Sequence, residues 1–159
     1  MFLKYVIIKI EEVNIMDRIT LDKPKDGWAN LKIDDSNFMI SYVTNVPFDI
    51  IKNAKIALKE KMPYVLTFDL EMYGMLYLIS DFPSTYCIHD LEDEKGYYSM
   101  DIDKIDLIEN LIKSIDENID DWAAWEKFED QDLEIVKKNK EKLEKGISEI
   151  RKLLEKEKE

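Results

Sequence analysis

Cysteine, histidine, arginine, glycine and proline are all scarce in this chain of 159 residues. A single cysteine, Cys87, cannot form an intrachain disulfide, which fits a reducing, cytoplasmic setting. A single histidine, His89, leaves no second imidazole for a zinc site. Cys87 and His89 together supply two of the four ligands that a structural zinc needs. The four glycines, at 27, 74, 96 and 146, are too scattered for a phosphate-cradling loop, and no Gly-x-Ser-x-Gly nucleophile turn is present. Of 23 basic residues only Arg18 and Arg151 are arginine, the side chain best shaped for bidentate anion recognition. No apolar run approaches the roughly eighteen residues of a membrane span. The apolar start, Phe2–Ile8, is interrupted by Lys4 and followed by Lys9, so it lacks the unbroken core of a signal peptide. Met16 is a second candidate start, which would make residues 1–15 an upstream extension.

Apolar residues make up 45% of the chain and charged residues 36%, the balance of a folded chain with a heavily charged surface. The net charge of −12 is concentrated in one stretch. Residues 64–128 hold four Lys against sixteen Asp/Glu, and the flanking stretches are close to neutral. A field of that sign repels nucleic acid and anionic membrane, because both are held by cationic side chains. It attracts and steers a basic protein partner.

The pattern predicts an α+β fold. An apolar strand is expected at 2–10 and a loop at 17–27. A hairpin follows, Trp28–Asp34 and Asn37–Val43, with Phe38, Ile40 and Tyr42 inward. Pro47 and Asp49 open a helix to about Lys61 with Ile50, Ile51, Ala54, Ala57 and Leu58 on one face. Antiparallel strands are then expected at Tyr64–Glu71, Met75–Ser80, Ser84–Asp90 and Tyr97–Met100, with Tyr86 and Ile88 inward in the third. The whole is an antiparallel sheet of about five to seven strands. Asp101 or Asp103 caps a helix striped with Ile105, Ile108, Ile112, Ile115 and Ile119. A short helical piece spans Asp120–Phe128, and a long charged helix closes the chain at about 132–156. The α+β domain is thus 1–128, with 129–159 as an amphipathic C-terminal helix.

Three functional readings arise from the residues. The first is an acidic protein-binding surface. Trp122 and Trp125, three apart on a helix, form an aromatic anchor within Asp116, Glu117, Asp120 and Asp121. Asp90, Glu92, Asp93 and Glu94 form a second acidic patch. The competing reading, that both tryptophans pack on the sheet as core, is favoured by the need of a domain this size for large apolar residues. The second reading is self-association. Leu133, Val136, Lys140, Leu143, Ile147, Ile150 and Leu154 step by three and four, a heptad seam with one polar interruption and a helix-weakening Gly146. The third is a metal-dependent or acid–base hydrolase using Asp69, Glu71 and His89, the first two sharing a strand face, where paired carboxylates can hold Mg²⁺ or move protons. No cofactor or metal is expected. The calcium-like run starting at Asp116 has Asp121 where the loop needs glycine and Lys127 where it needs glutamate.

The order of elements resembles the small cytosolic immunity proteins of bacterial polymorphic-toxin systems. The resemblance rests on Trp28-Ala29-Asn30-Leu31-Lys32-Ile33, Ser41-Tyr42 before Pro47, Phe68-Asp69-Leu70-Glu71, and the isoleucine-striped helix leading into Asp121-Trp122. It covers about residues 28–128 and leaves out the first strand and the last helix. It implies a binder that occludes a basic toxin domain and performs no catalysis. No individual functional residue carries over.

Overall fold

A computed structural model describes residues 18–125 and 132–159. The strand expected at 2–10 lies outside them, as does the end, 126–128, of the short helix expected at 120–128. Among the described residues the architecture is α+β with seven strands, divided between two antiparallel sheets. The first contains β1 (Ile19–Leu21), β2 (Trp28–Ile33) and β3 (Ser36–Ser41) in that order. The second contains β4 (Tyr64–Asp69), β5 (Met75–Ser80), β6 (Thr85–Asp90) and β7 (Lys95–Met100), also in chain order. Helix α1 (Val46–Lys59) links the sheets. Helices α2 (Lys104–Glu117), α3 (Ile119–Ala123) and α4 (Leu133–Glu157) follow.

Local chemistry accounts for most boundaries. Pro47 sits in the first turn of α1, where its missing N–H costs no hydrogen bond. Asp103 caps α2 by accepting from the Asp106 backbone N–H at 3.0 Å, and Asp132 caps α4 by accepting from that of Glu134. Asp34 turns the chain between β2 and β3 at positive φ, and Arg18 grips its carboxylate with two bonds of 2.7 and 2.9 Å. That guanidinium holds the Asp34 carboxyl below its usual range.

The expected loop at 17–27 contains β1. Only three residues pair there, too few for alternation to show. Ile19 and Leu21 nevertheless bury fully by lying opposite Ile33 and Leu31. On β3, Ile40 is buried as expected, Phe38 is half-buried and Tyr42 is exposed, because the strand ends at Ser41.

The larger correction is on β6. Tyr86 and Ile88 do not point inward; Thr85 and Cys87 do. The pairing register decides this. Leu78 of β5 lies opposite Cys87 and must share its face, while Ile79 lies opposite Tyr86. With Leu76 and Leu78 in the core, Tyr86 is forced outward, since side chains on a strand alternate with period two.

The C-terminal helix joins the same core. Leu143, Ile147, Ile150 and Leu154 are buried within one apolar cluster that includes α1 and α2. The heptad seam is therefore consumed inside the protomer. Val136 is partly buried against the core, and Lys140 reaches Asp120 at 2.8 Å. Leu133, 78% exposed, is the seam position left open.

Gly146 allows α4 to approach α1: a Cβ there would lie 2.6 Å from Ile51 Cγ2. Gly146→Ala sets two effects against each other. Helix propensity favours alanine by about 1 kcal/mol. Overpacking against a stiff β-branched side chain costs about 1–3 kcal/mol. The expected net result is a loss of about 1 kcal/mol. In an Ile51→Ala background the same change should stabilise. Urea denaturation of the four-member cycle measures this; a stabilising effect in both backgrounds would mean that the helices do not meet here.

Candidate protein-binding surface

The register of the second sheet produces two apolar faces. The inner face carries Leu66, Phe68, Leu76, Leu78 and Cys87 and is buried. The outer face aligns Val65, Ile79 and Tyr86 in one row and Thr67, Tyr77, Ile88 and Tyr97 in the next. Tyr86 is 56% exposed, Tyr97 67% and Val65 44%. A sheet face that met only water would carry polar side chains here. Contiguous exposed aromatic and aliphatic side chains mark an interaction surface. A shallow depression of about 410 Å³ lies between Ile79, Tyr86, Ile88 and Tyr97.

Carboxylates border this face. Asp69 and Asp90 stand on the same side in the third row, with Lys95 3.8 Å from Asp90. The β6–β7 turn presents Glu92, Asp93 and Glu94, all exposed and without a salt-bridge partner among the described residues. The second acidic patch read from the sequence is thus beside an aromatic face that the sequence reading had turned inward.

The first patch is different. Trp122 and Trp125 are core residues, 1% and 3% exposed, with ring centroids 5.0 Å apart. Helix α4 packs over α3 and buries them, so they present no anchor to a partner. The carboxylates around them are engaged within the molecule. Asp116 takes Arg151 at 2.6 Å, Asp120 takes Lys140, Asp121 takes Lys23 at 3.5 Å, and Glu117 lies 3.9 Å from Lys113.

Asp69, Glu71 and His89 are not assembled around a common cleft. His89 points to the opposite sheet face from Asp69, with its ring edge-on to Phe38 and Nε2 2.8 Å from the Tyr73 carbonyl. Asp69 Oδ1 accepts from the Glu71 backbone N–H, and Glu71 accepts from the Ser41 hydroxyl at 2.7 Å. These bonds shape the β4–β5 turn: β4 ends at Asp69 and Glu71 begins a helical turn at positive φ, so the two carboxylates do not share a strand face as expected. Cys87 is buried, and desolvation pushes its thiol up, away from the reactive thiolate. Among the described residues no group of three His, Cys, Asp or Glu is placed to hold a metal ion. No described helix is long and apolar enough to cross a membrane.

The basic side chains collect elsewhere. A groove of about 560 Å³ between α1 and α4 is lined by Lys52, Lys55, Lys59, Lys142 and Lys145. Only Lys55 among them is ion-paired within the described residues, to Glu149 at 2.5 Å. The sequence signal was present as lysines at 52, 55 and 59, one face of a helix, but their meeting with α4 depends on the fold. The same groove also holds Asp49, Glu60 and Glu149, so it keeps a modest excess of lysine, whereas the β6–β7 turn carries carboxylates alone. Compared with protein-family models, with curated proteins and with solved structures, the chain shows no match.

Proposed function

We propose that this protein is a binding module for a basic protein partner and that the outer face of the β4–β7 sheet receives it. The observation that carries this reading is the exposed Tyr86–Tyr97 face bordered by the unpaired carboxylates of Glu92, Asp93 and Glu94. The tyrosines supply contact area at low conformational cost. The carboxylates steer a cationic surface toward them. The specific form we propose is an immunity-type inhibitor that occludes a basic toxin domain, as the resemblance in residues 28–128 implies. Self-association through α4 is the weaker alternative, since its apolar seam is already covered.

The test compares three proteins as tagged baits: the wild type, a Glu92/Asp93/Glu94→Lys variant, and Tyr86→Ser/Tyr97→Ser. Charge reversal should slow association about tenfold or more at low salt and flatten its salt dependence. Loss of the tyrosines should speed dissociation. A basic partner whose rates are unchanged by both variants would place its site elsewhere and defeat the proposal.

A further inference from the structure

We infer that the partner engages this sheet by adding an extended, lysine- or arginine-bearing strand to the open edge of β7, an inference that rests on the reading of the sheet as a site for a basic protein. The hydrogen-bond phase of the hairpin defines the edge. Leu91 and Glu94 exchange both backbone bonds, at 2.9 and 3.3 Å. Antiparallel pairs alternate between bonded and non-bonded, so Gly96, Tyr98 and Met100 bond to β6. The N–H and C=O groups of Lys95, Tyr97 and Ser99 point away from the sheet. β7 pairs with β6 alone, and no bond to these outward groups is made by another described residue.

The opposite edge of the sheet is partly covered by α1. Val65 of β4 directs its carbonyl outward, and the Asn53 side chain of α1 donates to it at 3.1 Å. β7 has no such cover among the described residues. Of the usual edge protections it carries one, Lys95, whose charge is drawn to Asp90 at 3.8 Å; it has no proline and keeps an unbroken six-residue register.

Charge selects the occupant. The antiparallel register that matches β7 most fully to a second copy of itself centres on Tyr97 and sets Asp93 opposite the other copy's Asp101. Like charges in that position oppose pairing, and each copy carries −12. A cationic strand meets Asp93 and Glu94 at one end; at the other end Asp101 already lies within the field of the Arg18 guanidinium. The added strand's alternate side chains would continue the outer face beside Tyr97 and Ser99.

The probe is a synthetic peptide of alternating lysine and valine, long enough to match the six residues of β7. Amide hydrogen exchange is followed residue by residue. The peptide should slow exchange at Tyr97 and Ser99 by about tenfold or more and leave Gly96 and Tyr98 unchanged. Ser99→Pro removes an outward N–H without touching the β6 ladder, so it should fold and weaken the peptide about tenfold. If that variant does not fold, the exchange pattern decides alone. Binding that perturbs Tyr86 and Tyr97 but leaves the β7 amides unprotected would overturn strand addition and leave the face as the docking site. Protection of Tyr97 and Ser99 in the free protein would also overturn it, since the edge would already be filled. Absence of peptide binding overturns it as well. If the wild-type bait still captures a basic protein through the tyrosines, the parent reading survives; if it does not, both fail.

Discussion

Gly74→Ala should lower the stability of the folded protein by about 3–5 kcal/mol. Two costs act together. Gly74 has φ +89° and ψ −152°, a conformation open to glycine and strongly disfavoured for a residue with a Cβ. A Cβ at this position would also overlap the backbone carbonyl of Asp90. Backbone cannot rotate aside as a flexible side-chain tip can, so either the β4–β5 turn lifts or the end of β6 shifts. Gly74 is tied to that turn from both sides: its carbonyl accepts from Leu70 and its N–H donates to Glu71. Against a total stability of roughly 5–15 kcal/mol, such a loss is severe. The measurement is the urea midpoint at unchanged slope. Gly96→Ala is the internal control. Its nearest neighbour would be His89 Cβ at 3.7 Å, an ordinary contact, so the change should stay within about 0.5 kcal/mol. Equal effects from the two substitutions would refute the close crossing of the turn over Asp90.

Trp122→Ala should cost a similar amount, about 3–5 kcal/mol, because it removes a fully buried indole. Trp122 and Trp125 pack on each other with planes tilted by 41°, and neither indole N–H has a hydrogen-bond partner among the described residues. Their contribution is therefore apolar packing, and Trp122→Phe should be much milder than Trp122→Ala. This pair of substitutions also separates a core role from a docking role. A surface anchor would leave stability within about 0.5 kcal/mol and reduce partner affinity. A core residue does the reverse, apart from binding lost through unfolding. Denaturation curves of the two variants distinguish these outcomes. A stable Trp122→Ala protein would return the tryptophans to the surface and restore the first acidic patch as the favoured site.

Much of the secondary structure was legible because its signals are local. Pro47 marks the start of α1, Asp103 caps α2, and Ile50, Ile51, Ala54, Ala57 and Leu58 fall on the buried face that helical periodicity assigns them. β2 was equally clear, since Ala29, Leu31 and Ile33 alternate with polar neighbours. The second sheet was harder. β5 and β6 are apolar in both phases, so Tyr86 and Cys87 are equally acceptable inward from the sequence of one strand. The choice belongs to the register with Leu78, a contact between strands. The α4 seam posed the same difficulty. Steps of three and four describe a surface that seeks an apolar partner, and they do not say whether that partner is a second chain or the helix α1 of the same one.

The sequence by itself determined the composition of the charge map, the α+β class, the starts of α1, α2 and α4 and the uneven placement of carboxylates between 64 and 128, while the break at Asn118 between α2 and α3 went unread. These follow from backbone preferences and from counting, which need no knowledge of distant contacts. The tertiary structure alone decided which apolar residues the core had room for. One inner face, together with α1, α2 and α4, fills the core with Trp122, Trp125 and the α4 seam included. The second apolar face of β4–β7 is left over and meets solvent. It pairs Asp116, Glu117, Asp120 and Asp121 with cations and leaves Glu92, Asp93 and Glu94 without them among the described residues. Burial is a competition among all apolar surfaces for a limited interior, and its losers become the protein's candidate binding surface.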